Sequence, residues 1–210
     1  MSSLSDSFHT YDGAHTHCTL GTLSSFKNST SVFFHASASD RDRVINGWHQ
    51  SLTAAFARTQ GLRPFEIVFR SLETSPAATF LVGDDASKTV EALRSAIREA
   101  ARDPVLGELS TELENKYGGT HLNLCSLGDA VQIPNIIHST VMRVASEVSE
   151  ERRLAKGLAE LSARWEPATV RVGQISLVYE NHPYMHLIRE GTEAHCYRLP
   201  FGILPFGACA

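Results

Sequence analysis

The hydrophobic pattern changes period several times along the chain. Residues 31–35, Ser-Val-Phe-Phe-His, are β-branched and aromatic, as a strand requires. From Asp40, a residue that caps helices, Val44, Ile45, Trp48, Leu52, Ala55 and Phe56 recur at spacings of three and four. That stripe predicts an amphipathic helix, ended by Gly61 and Pro64. Residues 65–69 alternate as a strand does, and 79–82 supply another strand after a turn at Pro76. A further helix begins at Ser87, with Val90, Leu93, Ile97 and Ala100 on one face and Pro104 beyond its end. Residues 105–119 read as polar and irregular, and Gly118-Gly119 leads into a strand at 121–125. After Pro134 a long helical pattern runs through Val144, Val148, Leu154, Leu158, Leu161 and Trp165 until Pro167. Strands are expected at 170–179, with a bulge at Gly173, and at 184–188. The Pro- and Gly-rich tail from Leu199 is expected to pack on the body without forming an element.

Superposed on these elements is an internal echo. Thr16-His17-Cys18-Thr19-Leu20, with Leu23 beyond, matches Thr120-His121-Leu122-Asn123-Leu124, with Leu127 beyond, at an offset of 121 − 17 = 104. Val32-Phe33-Phe34-His35-Ala36-Ser37 matches Asn135-Ile136-Ile137-His138-Ser139-Thr140 at 138 − 35 = 103, and Pro64 matches Pro167 at 103 again. One offset shared by three landmarks predicts a duplicated β-α-β unit, with repeat halves at about 13–100 and 117–195. On a strand, residues two apart face the same side, so His17 and Thr19 share a side, as do His121 and Asn123.

Length and composition bound the rest. The 210 residues suit one domain or two fused lobes, and a chain of this size buries roughly 70% of its unfolded surface. A 42% hydrophobic content and a net charge of −4 exclude a disordered chain and a strongly basic, nonspecific nucleic-acid binder. The four cysteines, Cys18, Cys125, Cys196 and Cys209, form no C-x-x-C pair, which predicts free thiols in a reducing compartment. The first residues lack the basic and apolar regions of a signal peptide, and no apolar run approaches the ~20 residues of a membrane helix. A soluble, cytoplasmic protein without membrane contact is expected, and the Asn28-Ser29-Thr30 sequon is then silent.

The two His-x-polar-apolar strands resemble the signature of the 2H phosphoesterases, the superfamily of the LigT-like 2′-5′ RNA ligases and cyclic phosphodiesterases. His17-Cys18-Thr19-Leu20 stands as the first motif and His121-Leu122-Asn123-Leu124 as the second. The second departs from the family pattern in having Asn where Thr or Ser stands. His35-Ala36-Ser37-Ala38 is an alternative first motif, 121 − 35 = 86 residues before His121. The resemblance implies an α+β fold: a single bilobal domain over 1–210 whose two pseudo-symmetric β-α-β lobes carry antiparallel sheets flanking a central cleft. It implies catalysis by His17 and His121, with Thr19 and Asn123 holding the substrate. His35, Ser37 and His138 are additional candidates. It implies no metal and no cofactor. The substrate is a small phosphorylated molecule or a nucleotide or RNA end, cleaved as a cyclic phosphate or phosphodiester. The chemistry suits imidazole, whose pKa near 6.5 lets one ring act as base while another acts as acid.

Other readings use the same residues. The two histidines could move protons at carbon in a lyase or isomerase, or the fold could serve as a noncatalytic ligand-binding protein. His182, His186 and His195 match no zinc spacing, Arg41, Arg43, Arg152 and Arg153 suit solvated helix faces, and nucleophile-elbow and phosphate-loop motifs are absent. The sequence leaves the oligomeric state open.

Overall fold

The structure, a computed structural model, describes residues 8–10, 17–23, 36–75, 78–117, 131–144, 151–178 and 193–203. The chain is α+β. Its described strands are β1 (Phe8–Thr10), β2 (Phe65–Thr74), β3 (Ala78–Asp84), β4 (Ile137–Val144), β5 (Ala168–Val172), β6 (Gln174–Val178), β7 (Glu193–Arg198) and β8 (Gly202–Ile203). Its described helices are α1 (Ala38–Arg58), α2 (Thr89–Ala100), α3 (Pro104–Tyr117) and α4 (Glu151–Ala163). Two compact units form, each drawn from three stretches of chain: 1–19, 66–87 and 134–171 in the first, and 20–65, 88–133 and 172–210 in the second.

The first unit holds a five-stranded sheet in the order β1-β4-β3-β2-β5. The β1–β4, β4–β3 and β3–β2 pairs are antiparallel. On β2 the buried residues are Phe65, Ile67, Phe69 and then Leu72. The switch from even to odd spacing coincides with a register shift between Phe69 and Ser71, so the bulge keeps Leu72 on the buried side. Gly83 on β3 is required by close approach: a Cβ there would stand 2.8 Å from Ile67 Cγ2. In the last turn of α4, Ser162 donates to the Leu72 carbonyl at 2.7 Å, and just beyond the helix the Trp165 indole donates to the Phe69 carbonyl at 3.1 Å.

The second unit packs α1 against α2 and α3 and contains the sheet β6-β7-β8. Ser37, not Asp40, is the N-cap of α1: its hydroxyl accepts from the Asp40 amide at 3.2 Å and donates to the Asp40 carboxylate at 2.8 Å. Asp40, only 2% exposed, also accepts from Lys116 at 2.6 Å and Tyr117 at 2.5 Å of α3. Those donors hold its carboxyl far below the usual carboxylate range, Lys116 most of all. Gly47 lets the helices close up, since a Cβ there would meet Leu106 at 3.2 Å.

Several expectations are corrected. The stretch 105–119, read as irregular, is mostly α3, with Leu106, Leu109 and Leu113 buried. Pro104 begins that helix instead of only ending the one before; Asp103 accepts from the Val105 amide at 3.0 Å, and proline at the first position loses no helical bond. The long helix after Pro134 is a strand, β4, followed by a shorter helix, α4. Ile136, Ile137, Val141 and Val144 supply the β-branched side chains that favour the strand. The single strand over 170–179 is two strands parted at Gly173, in different sheets. The tail forms β8 within its first residues. Cys196 is disulfide-bonded, to a partner outside the described residues, against the expectation of free thiols, whereas Cys18 carries no disulfide. The strands expected at 31–35, 121–125 and 184–188 lie outside the described residues. Among those described, no helix is long and apolar enough to cross a membrane.

Candidate functional site

The first unit brings together His17, Thr19 and His138. Cys18 forms an antiparallel bridge with Ser139 on β4, on the side of β4 away from β3. The bridge is isolated; the same antiparallel register continued by one residue on either side would set Thr19 opposite His138 and His17 opposite Thr140. Directly opposed residues point to the same side of a sheet, and neighbours along a strand alternate. Cys18 and Ser139 therefore share one face, where Ser139 is 1% exposed. His17, Thr19, His138 and Thr140 share the other, and all four are half-buried. Opposed side chains on such a pair stand about 5 Å apart and diagonal ones about 7–8 Å, which is the spacing this register would give the two histidines.

The neighbouring strand adds to this face. β3 pairs Val82 with His138 and Phe80 with Thr140. Phe80 also meets the His138 ring edge-on, with centroids 5.8 Å apart and planes at 72°. Beyond Thr140 the register slips: Phe80 pairs Thr140 but Thr79 pairs Met142, leaving Val141 as an extra residue. The bulge reverses the alternation of β4, so Arg143, paired with Ala78, lies on the side of Phe80 and Thr140. Thr79, on the opposite side, is 2% exposed. One face thus carries two imidazoles, two threonine hydroxyls, an aromatic ring and a guanidinium.

Of the residues singled out from sequence, His17 and Thr19 lie on this face and His138 joins them. His121, Asn123 and His35 lie outside the described residues. Ser37 belongs to the second unit, where it caps α1 and its backbone N–H donates to the Tyr117 hydroxyl at 2.9 Å. Thr140 and Arg143 were missed. The signal for Thr140 was present, because His138-Ser139-Thr140-Val141 repeats the His-x-Thr-apolar spacing of His17-Cys18-Thr19-Leu20. It was hidden by the helical pattern read across the same residues. Arg143 carried no such signal, since its side of the sheet depends on the bulge.

The second unit holds a different histidine pair. His195 of β7 stacks on His49 of α1, and His49 Nδ1 lies 2.9 Å from the Tyr197 hydroxyl. Among the described residues, no three His, Cys, Asp or Glu side chains gather as metal ligands would. No family model, curated protein or solved structure matches the chain.

Proposed function

We propose that the chain is a 2H-type phosphoesterase that cleaves a cyclic phosphate or an RNA phosphodiester by two-histidine acid–base catalysis. One observation carries the reading: the Cys18–Ser139 bridge aligns two His-x-Thr-apolar segments so that each histidine stands opposite the other segment's threonine. An antiparallel pair has a local two-fold axis, so the two histidines occupy equivalent positions on one face. The reading includes the two-lobed arrangement of that superfamily and its independence of metal and cofactor.

Cleavage of a 2′,3′-cyclic phosphate then runs as follows. One neutral imidazole takes a proton from water as its oxygen attacks phosphorus. The other, protonated, gives its proton to the ribose oxygen as the P–O bond breaks. The hydroxyls of Thr19 and Thr140 donate to the nonbridging oxygens, where negative charge gathers in the transition state. The Arg143 guanidinium supplies positive charge on the same face. The roles reverse for the second histidine without any rearrangement, since neither position is privileged.

His138, rather than His121, is the second histidine in this reading, and the same assay separates them. Wild type, H17A, H138A and H121A are compared on 2′,3′-cyclic nucleotides and short RNA. H17A and H138A should each lose at least ~10²-fold in turnover, with H121A near wild type. Turnover unchanged in H17A and H138A overturns the reading; loss in H17A and H121A alone restores the repeat-based pairing. A cytoplasmic location belongs to the same proposal, and it requires the Cys196 disulfide to be reduced in the cell. Mass mapping of the protein taken from cells under thiol-blocking conditions tests this: Cys196 found largely oxidised overturns the location.

A further inference from the structure

We propose that α1 and β7 are joined by an acid-released latch made from the imidazoles of His49 and His195 and the phenol of Tyr197. The rings of His49 and His195 are nearly parallel, at 9°, with centroids 3.6 Å apart. That is face-to-face contact between an α-helix and a strand distant in sequence. Behind it Tyr197 is 1% exposed, edge-on to Phe56 at 5.3 Å and stacked on Phe201 at 6.2 Å. Its hydroxyl is 2.9 Å from His49 Nδ1. Burial pushes the phenol's ionisation upward, so it stays protonated and can donate to a neutral His49. The pair does not form a chelate. Imidazole lone pairs lie in the ring planes, and two parallel planes 3.6 Å apart do not aim them at one ion.

The described neighbours named here, apart from the Tyr197 hydroxyl, are apolar or neutral, and none is a carboxylate. On α1, one turn either side of His49 stand Ile45, Asn46, Leu52 and Thr53. On β7 the same side carries Tyr197. β6 opposes His195 with Leu177 and Tyr197 with Ile175, and β8 opposes Tyr197 with Ile203. On the helices packed against α1, several ionisable groups are paired elsewhere: Glu99 of α2 with Arg58, Glu91 of α2 with Arg98, and Glu112 and Lys116 of α3 with Arg43 and Asp40. Burial lowers both imidazoles below their ordinary value, and the neighbouring His49 charge lowers His195 further.

The sign follows. The closed contact favours neutral rings. Its contribution is complete above the ordinary imidazole pKa of about 6.5 and is lost as pH falls through the lower values of the closed form. One proton places a cation against the second ring. A second proton places two like charges face to face. Opening that takes up two protons grows by up to about 100-fold per pH unit, and opening that takes up one by about tenfold.

Trp48 precedes His49 and is 2% exposed, so its indole reports the packing of α1. The full chain is titrated from pH 7.5 to 5.0 by NMR, following the histidine ring signals and the Trp48 indole proton, in wild type and H195F. In wild type both rings should titrate below 6.5, and the Trp48 signal should move with two-proton steepness. H195F keeps a ring on His49 and should reduce the steepness to one proton or less. His49 and His195 rings titrating at or above 6.5, or equal steepness in the two proteins, overturns the latch. If H195F does not fold, the wild-type ring titrations decide alone.

Discussion

The two histidine pairs differ in what surrounds them, and the difference underlies the two distinct roles proposed for them. His17 and His138 are placed by a backbone ladder. A bridge between strands spaces side chains apart instead of stacking their rings. Their neighbours on that face include threonine hydroxyls, the Phe80 ring and, through the bulge, a guanidinium. His49 and His195 instead occupy each other's ring faces, backed by an aromatic cluster. There a proton meets repulsion rather than a partner. In the two proposals the same residue type serves bond making in one unit and a pH-dependent contact in the other, and the distinction lies in geometry and neighbours.

Substitutions at the neighbours test that contrast, beginning with the largest effect. Thr140→Val keeps the shape of the side chain and removes its hydroxyl; turnover of a cyclic nucleotide should fall about 100-fold, the cost of one donor lost to a developing oxyanion. A fall no greater than twofold in steady-state assays would remove Thr140 from the site. Arg143→Gln should be milder, raising KM by about tenfold through the loss of a charge-assisted bond, with a shallower dependence on salt. Smallest is Ser37→Ala, which removes the cap of α1 and should cost about 1 kcal/mol in urea unfolding. It should leave the two-proton steepness at Trp48 intact, since the cap lies three helical turns from the imidazoles. A change in steepness would tie the latch to the helix end rather than to the ring pair.

What the sequence disclosed follows the range of the interactions concerned. α1 and α2 were legible because their apolar stripes and end residues are local signals; Val44, Trp48, Leu52, Val90, Leu93 and Ile97 are all buried as the periodicity predicts. β2 and β3 were legible for the same reason, apart from the bulges. α3 was lost because Pro104 carries two meanings, the end of one helix and the start of another, and only Asp103 before it selects the second. β4 was lost because Val144 and Val148 happen to fall on a helical period with Leu154 and Leu158. The pairing of positions 17 and 138 was not legible at all. Which strands become neighbours is decided by contacts more than a hundred residues apart, and an internal echo at one offset directed attention to His121 instead. The His49–His195 stack has the same origin: nothing local to either histidine announces the other.

The extra residue at Val141 has a consequence for how β4 tolerates change in length. Because two residues there face one on β3, the guanidinium side is set by counting and not by chemistry. Loss of a single codon at this point would leave every remaining side chain unaltered in kind, yet would turn Arg143 over to the interior while His138 and Thr140 stayed outward. Insertions or deletions in this strand are therefore more damaging than most point changes, and the spacing from His138 to Arg143 is itself part of the information the chain carries.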